Sequence, residues 1–434
     1  VNDLNMTALA VIAACVLIWG LVSARLERWD ISGPIAFMVL GLVVTHGPTA
    51  MIHFSLHSTT IRSIAEVTLA LVLFADASRV NVRALRAGAA IPVRLLAIGL
   101  LLTIVAGAAA AELLYSSSGF WVAAAIAAIV APTDAALGAS IMQDRRVPSG
   151  VRRALNVESG LNDGIVAPFV NLFIAGAVAS ERVPHGTHVT HAAFELLGGA
   201  AVGIGVGIAG AVLLAMARRH EWSAPGFRPL TILALALFAY SVALLAGTNG
   251  FIAAFVAGMT FGTVDRHNDE AVLRFTEEAG TLLSLLVWFI FGAVMLVPGL
   301  QDAGWRDLLF AVLALTVLRM VPVALSLLGT GLDRTTVAFI GWFGPRGLAS
   351  IVFGLIAVDL LAPEQSKVVL AVITLTVALS VVLHGVTASP FAARYGTYAA
   401  RLPNHQPEHT NAEPITTRTL RQLRSPLSGG NTTT

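Results

Sequence analysis

Arg152-Arg153-Ala154-Leu155-Asn156-Val157-Glu158-Ser159-Gly160-Leu161-Asn162-Asp163-Gly164 leads into a long apolar run, yet it carries two carboxylates and, at Asn162 between them, an amide that hydrocarbon disfavours. If this stretch is helical, Glu158 and Asn162 stand four residues apart on one face, and so do Ser159 and Asp163. The last basic residue before the run is Arg153. Asp163 lies ten positions further on, about 15 Å along a helix and so half-way through a hydrocarbon core of about 30 Å. An ionisable group at that depth costs about 2.5–3.5 kcal/mol to insert, which marks it as functional unless a partner explains it.

The composition agrees with a membrane interior. Of 434 residues, 56% are hydrophobic and 12% charged, with a mean hydropathy of +0.80. Water-soluble domains carry about 25% charged residues. A formal charge of +2 gives no reason to expect nucleic acid as a partner. Cys15 is the only cysteine, so an intrachain disulfide is excluded. Val1-Asn2-Asp3 shows no basic n-region, so the first apolar run reads as a retained span.

Apolar runs recur from Met6 to Pro390 and divide into thirteen expected spans. These fall near 6–24, 31–48, 62–78, 88–114, 119–142, 154–179, 192–217, 228–246, 249–263, 278–298, 306–328, 335–361 and 367–392. With the N-terminus outside, fifteen arginines fall in inner loops and only four basic residues in outer ones, as the positive-inside rule requires. The C-terminus is then cytoplasmic. From residue 395 the chain turns to Pro, Thr, Asn, Ser and Arg, a composition expected to form a disordered cytoplasmic tail over 395–434.

Two spans are interrupted near their middles. The fifth contains Ala131-Pro132-Thr133-Asp134, and the twelfth contains Gly341-Trp342-Phe343-Gly344-Pro345-Arg346-Gly347. Proline removes a helical N–H and disfavours helix at the residue before it, so both spans should unwind there. If residues 6–179 and 228–392 are repeats joined by a linker helix at 192–217, these two spans correspond. Their offset of seven spans is odd, so the repeats are inverted in the membrane. Paired broken helices in inverted repeats point to a transporter's binding site. Asp134 and Arg346 each lie about 16–18 Å from the inner edge, at the level of Asp163.

These residues resemble the NhaP/NHE-type monovalent cation/proton antiporters. The matching pieces are Pro132-Thr133-Asp134, Glu158-Ser159-Gly160-Leu161-Asn162-Asp163 and Gly344-Pro345-Arg346-Gly347, with Leu73-Phe74-Ala75-Asp76-Ala77 as a further acidic motif. Together with the span count, the resemblance covers most of residues 6–392. It implies that Asp163 is the carboxylate that takes either a cation or a proton. Asn162 stands where electrogenic relatives carry a second aspartate. Ser159, Asp134, the Thr133 carbonyl and Asp76 match groups around the cation. Glu158 and Arg346 match a buried salt bridge. Asp76 departs from the glutamate found in many relatives. A homodimer in the plasma membrane is implied as well.

The chemistry of the residues fits these roles. Sodium and lithium are hard cations that prefer oxygen, and this level offers carboxylate, hydroxyl and freed carbonyl oxygens. No resident cofactor is called for. Because one carboxylate cannot hold a cation and a proton together, competition alone would couple the two flows. Asn162 supplies no second titrating charge, so exchange is expected to be electroneutral. A potassium-preferring exchanger and a passive cation channel are the alternatives. Enzyme chemistry is not expected: neither Tyr-Asp nor Gly-x-Gly-Asp surrounds Asp134 or Asp163, and no Gly-x-Ser-x-Gly or His-Glu-x-x-His occurs. Gly199, Gly203 and Gly207 read as a close helix contact, with a dimer seam as the alternative. His185, His188 and His191 read as an exposed loop rather than a metal site, and His384 as a packed helix residue; Arg319, in the motif-like Leu-Arg-Met-Val-Pro, resembles a family arginine, with a structural role as one of its two readings.

Overall fold

The computed structural model describes residues 6–47, 56–79, 90–180, 188–265, 270–403 and 406–409. The chain is an all-α polytopic membrane protein. Among the described residues, eight helices are long and apolar enough to cross a bilayer, and four shorter apolar helices accompany them. In order they are α1 (Met6–Leu26), α2 (Gly33–His46), α3 (Thr59–Ser78), α4 (Ala90–Leu114), α5 (Phe120–Val130), α6 (Ala139–Gln143) and α7 (Ser149–Ser180). Then come α8 (His188–Arg219), α9 (Arg228–Leu245), α10 (Gly250–Val264), α11 (Glu270–Ile290, continued through a π turn to Gln301) and α12 (Trp305–Ser326, bent at Thr316). The last are α13 (Arg334–Trp342), α14 (Leu348–Leu360) and α15 (Pro363–Ala399).

Local chemistry sets several helix starts. Asn249 and Asp333 cap α10 and α13 with side-chain oxygens that accept Ile252 and Thr335 N–H groups. Proline opens α15, where its missing N–H costs nothing. Trp29, Trp222 and Phe227 are exposed at the arginine-rich end of the bundle, and Phe120 and Trp305 at the other. These are the two aromatic belts that a bilayer interface favours. On α1, Leu17, Ile18 and Leu21 point outward into what the composition reads as lipid.

The helices pack in two groups. α3 lies on α10 and α11, α8 on α10, and α2 on α11, while α4 lies on α5, α5 on α7, and α12 and α14 on α15. Gly199, Gly203 and Gly207 belong to the first group: a Cβ at any of them would press on the α10 backbone. Close helix packing within the chain therefore accounts for that stripe.

The C-terminal boundary needs correcting. α15 runs five residues past the expected limit at 394, with Tyr395, Gly396 and Ala399 buried. Tyr395 stacks on Phe339 with ring centres 4.1 Å apart. Beyond the helix, Glu408 is buried against the start of α13, accepting hydrogen bonds from the Asp333 N–H and the Thr336 hydroxyl, each at 2.8 Å. Composition missed this because a few specific bonds, not apolar area, hold the segment. Residues 410–434 lie outside the described residues, as do His185 and the side chains of His188 and His191.

Candidate functional site: two interlocked helix breaks and the cavity beside them

Both spans unwind where proline places the interruption, over 131–138 between α5 and α6 and over 343–347 between α13 and α14. The two breaks touch. The Asp134 N–H donates to the Pro345 carbonyl at 2.7 Å. One Asp134 carboxylate oxygen accepts the Ala136 N–H at 2.7 Å, and the other accepts the Leu348 N–H, the first of α14, at 2.9 Å. In return, Arg346 reaches the last carbonyls of the opposite half-helix, Ala131 and Pro132, and the Ala314 carbonyl of α12 at 3.3 Å. Each break thus supplies the charge that the other's half-helix end attracts: a carboxylate at an N-terminus, a guanidinium at a C-terminus. The Ser350 hydroxyl adds a bond to the Ile129 carbonyl at 2.7 Å.

α7 approaches this junction with its polar face. Asn162 donates to the Thr133 hydroxyl oxygen at 2.7 Å, and Ser159 and Thr133 hydroxyls lie 3.0 Å apart. The Asn162 side-chain oxygen is buried with no hydrogen-bond partner among the described residues. Gly160 and Gly164 flank Asp163 and let other helices close in, Gly160 toward Asp76 of α3 and Gly164 against the Phe255 ring of α10.

Glu158 does not pair with Arg346. Its two oxygens meet the two terminal nitrogens of Arg319 at 2.5 and 2.8 Å, a bidentate buried pair. Depth explains the correction. Glu158 lies five residues beyond Arg153, about 7.5 Å, and Arg319 seven residues from the end of α12, about 10 Å, whereas Arg346 is about 18 Å deep. Arg346 is committed to backbone carbonyls instead.

A cavity of about 350 Å³ lies at the seam between the two helix groups. Asp76, Asp134, Asp163 and Ser159 line its inner part, each carboxylate half-buried. Thr133, Glu158, Asn162, Arg319 and Arg346 are buried behind that wall. The opposite wall includes Thr281, Ser284 and Trp288 of α11. The cavity continues toward Glu27, Asp30 and Gln143 at the arginine-rich end. Beside that mouth, hydrogen bonds from the Arg146 guanidinium hold the Asp144 carboxyl below the usual carboxylate range. Among the described residues no three His, Cys, Asp or Glu side chains converge as a metal chelate.

A family model described as the transmembrane sodium/hydrogen exchanger matches residues 10–394. The chain belongs to the sodium/hydrogen exchanger family. Among curated proteins, a Na(+)/H(+) antiporter of Schizosaccharomyces pombe is 25% identical over 298 residues, 60% of this chain and 62% of that protein. The K(+)/H(+) antiporter NhaP2 of Shewanella sp. (strain ANA-3) is 25% identical over 350 residues, 79% of this chain and 58% of that protein. The chain therefore spans about three fifths of the length of these relatives. In fold it resembles the sodium proton antiporter MjNhaP1 from Methanocaldococcus jannaschii, with a TM-score of 0.71 at 19% identity over 90% of this chain and 99% of that one. Members of the family are secondary transporters, not enzymes.

Of the residues proposed around the cation, Asp76, Asp134, Ser159 and Asp163 lie on the cavity wall, and Thr133, Glu158, Asn162 and Arg346 are buried behind it. Sequence reasoning chose the wrong arginine for Glu158, and it gave no role to Ser350 and Ser380, whose partners lie on other helices.

Proposed function

We propose that this exchanger trades sodium or lithium for protons, one for one, through competition at Asp163. The observation that carries the reading is the meeting of Asp76, Asp134, Asp163 and Ser159 on one cavity wall beside two unwound helices. Hard cations favour such oxygens, with Thr133 supplying a freed carbonyl. Asn162 is already engaged with Thr133 and brings no second charge, which favours electroneutral exchange.

The architecture proposed for this chemistry is thirteen crossings in two inverted repeats, with the broken helices α5–α6 and α13–α14 as the corresponding, crossed pair. The N-terminus lies outside and the C-terminus in the cytoplasm of the plasma membrane. The cavity then faces the cytoplasm, and the protein works as a homodimer by alternating access. A potassium/proton exchanger is the second reading, favoured by the similarity to NhaP2 proteins described as K(+)/H(+) antiporters.

Purified protein in vesicles loaded with a pH-sensitive dye tests the proposal. Pulses of sodium or lithium are expected to move protons, with a reversal point set by the two ion gradients alone. A response to potassium alone would select the second reading. A reversal point that follows membrane voltage would rule out electroneutrality, and cation flux without proton movement would indicate a channel.

A further inference from the structure

The break at 343–347 interrupts a specific bond. In an uninterrupted helix the Arg346 N–H would donate to the Trp342 carbonyl, four residues back. Here both groups turn to α15. The Arg346 N–H donates to the Ser380 hydroxyl oxygen at 2.7 Å. His384 Nε2 lies 2.9 Å from the Trp342 carbonyl, while its Nδ1 lies 2.9 Å from the Ser380 carbonyl of its own helix and 3.2 Å from the Ser380 hydroxyl. Roles follow from what each atom can do. A backbone N–H can only donate and a carbonyl can only accept, so the Ser380 hydroxyl oxygen accepts from Arg346, and Nε2 carries the proton that it donates to Trp342. Ser380 is fully buried and His384 is 2% exposed. Their spacing of four residues on α15 repeats the spacing of the two groups they serve.

We infer that Ser380 and His384 act together as a positioning pair that replaces the missing helical bond and fixes the second break for cation binding. This rests on the reading of the junction as the ion site. The causal chain is short. Ser380 and His384 hold residues 342 and 346. Between and beyond them, the Pro345 carbonyl and the Leu348 N–H hold Asp134 from its backbone and its carboxylate. Asp134 lines the cavity. If the splint loosens, the unwound turn gains alternative conformations and Asp134 is less often in place to meet a cation. The pair touches no cation itself, so it positions and does not ligate.

Transport by the full chain in vesicles, with sodium and potassium as probes, separates this from simple packing. His384→Leu removes both contacts of the ring, Ser380→Ala deletes one hydroxyl, and His384→Gln keeps a donor near Nε2. Each single loss is expected to raise the apparent KM for the cation about five- to tenfold, the effect of one net hydrogen bond, with maximal rate changed less than about twofold. His384→Gln is expected to restore most of the loss. The Ser380→Ala/His384→Leu double variant should raise KM beyond either single variant, because the two side chains hold residues 346 and 342 by separate bonds. A lower melting temperature with an unchanged KM would overturn the inference. Should His384→Leu fail to fold, Ser380→Ala decides by the same KM criterion. Asp163→Asn is measured alongside. Its activity would sink the reading of the site, whereas an inactive Asp163→Asn with normal Ser380 and His384 variants would sink this inference alone.

Discussion

Glu158 and Arg319 are each 1% exposed and engage through two parallel hydrogen bonds. Removing either partner strands a buried charge, at a cost of about 3–5 kcal/mol. Arg319→Ala and Glu158→Ala should therefore melt far below the wild type in detergent. The apolar double replacement Glu158→Leu/Arg319→Met should recover most of the loss. A double-mutant cycle coupling Glu158 to Arg346 instead would contradict the pairing. The two arginines were visible in the sequence, but their partners were not, because Glu158 and Arg319 stand 161 positions apart. The depth of each along its helix was the usable signal. Asp144 gives a pH expectation with a definite sign. Its carboxyl titrates lower when folded, through hydrogen bonds from Arg146, so its contribution is complete above about pH 4 and fades only as acid protonates it. Asp144→Asn should leave the shape of the transport profile between pH 5 and 9 unchanged. A displaced profile in that range would show that Asp144 takes part in proton coupling.

At the scale of elements, the interlock of two half-helices is the feature that most needs each side chain in place. Gly347 lies against Asp134, and a Cβ there would overlap its carboxylate. Gly347→Ala is expected to cost about 1–3 kcal/mol of stability and to lower cation affinity, measured by melting and by transport KM. Wild-type values for both would argue that the breaks do not depend on each other. Pro132 and Pro345 made both interruptions legible, since proline acts on its own neighbours in the chain. That Asp134 would cap α14 was not legible, because the capped N–H belongs to Leu348, 214 residues away. The helix limits were largely readable from apolar runs, and α7, α9 and α10 begin and end within a few residues of expectation.

For the molecule as a whole, the segment after α15 ties the C-terminal end of the bundle to the start of α13. Glu408→Ala would leave the Asp333 N–H and the Thr336 hydroxyl without their acceptor. It should lower stability by about 1–3 kcal/mol in a detergent melt, and an unchanged melting temperature would mean that the segment merely rests there. Hydropathy could not foresee that contact, because three residues of polar sequence carry it. Ser140 is exposed on the cavity wall, whereas Cys15 is buried, so Ser140→Cys offers a thiol that reports access. A membrane-impermeant reagent should label it from the cytoplasmic side; labelling from outside only would reverse the proposed orientation. The proposed function makes Asp163 the group at which cation and proton exclude one another. The direct measurement is proton release from purified protein in a weakly buffered detergent solution as sodium, lithium or potassium is added. The wild type should release about one proton per chain at saturation, less as the pH rises above the titration of Asp163, and Asp163→Asn should release none. Cation binding without proton release, or equal release from Asp163→Asn, would contradict exchange by competition at this carboxylate.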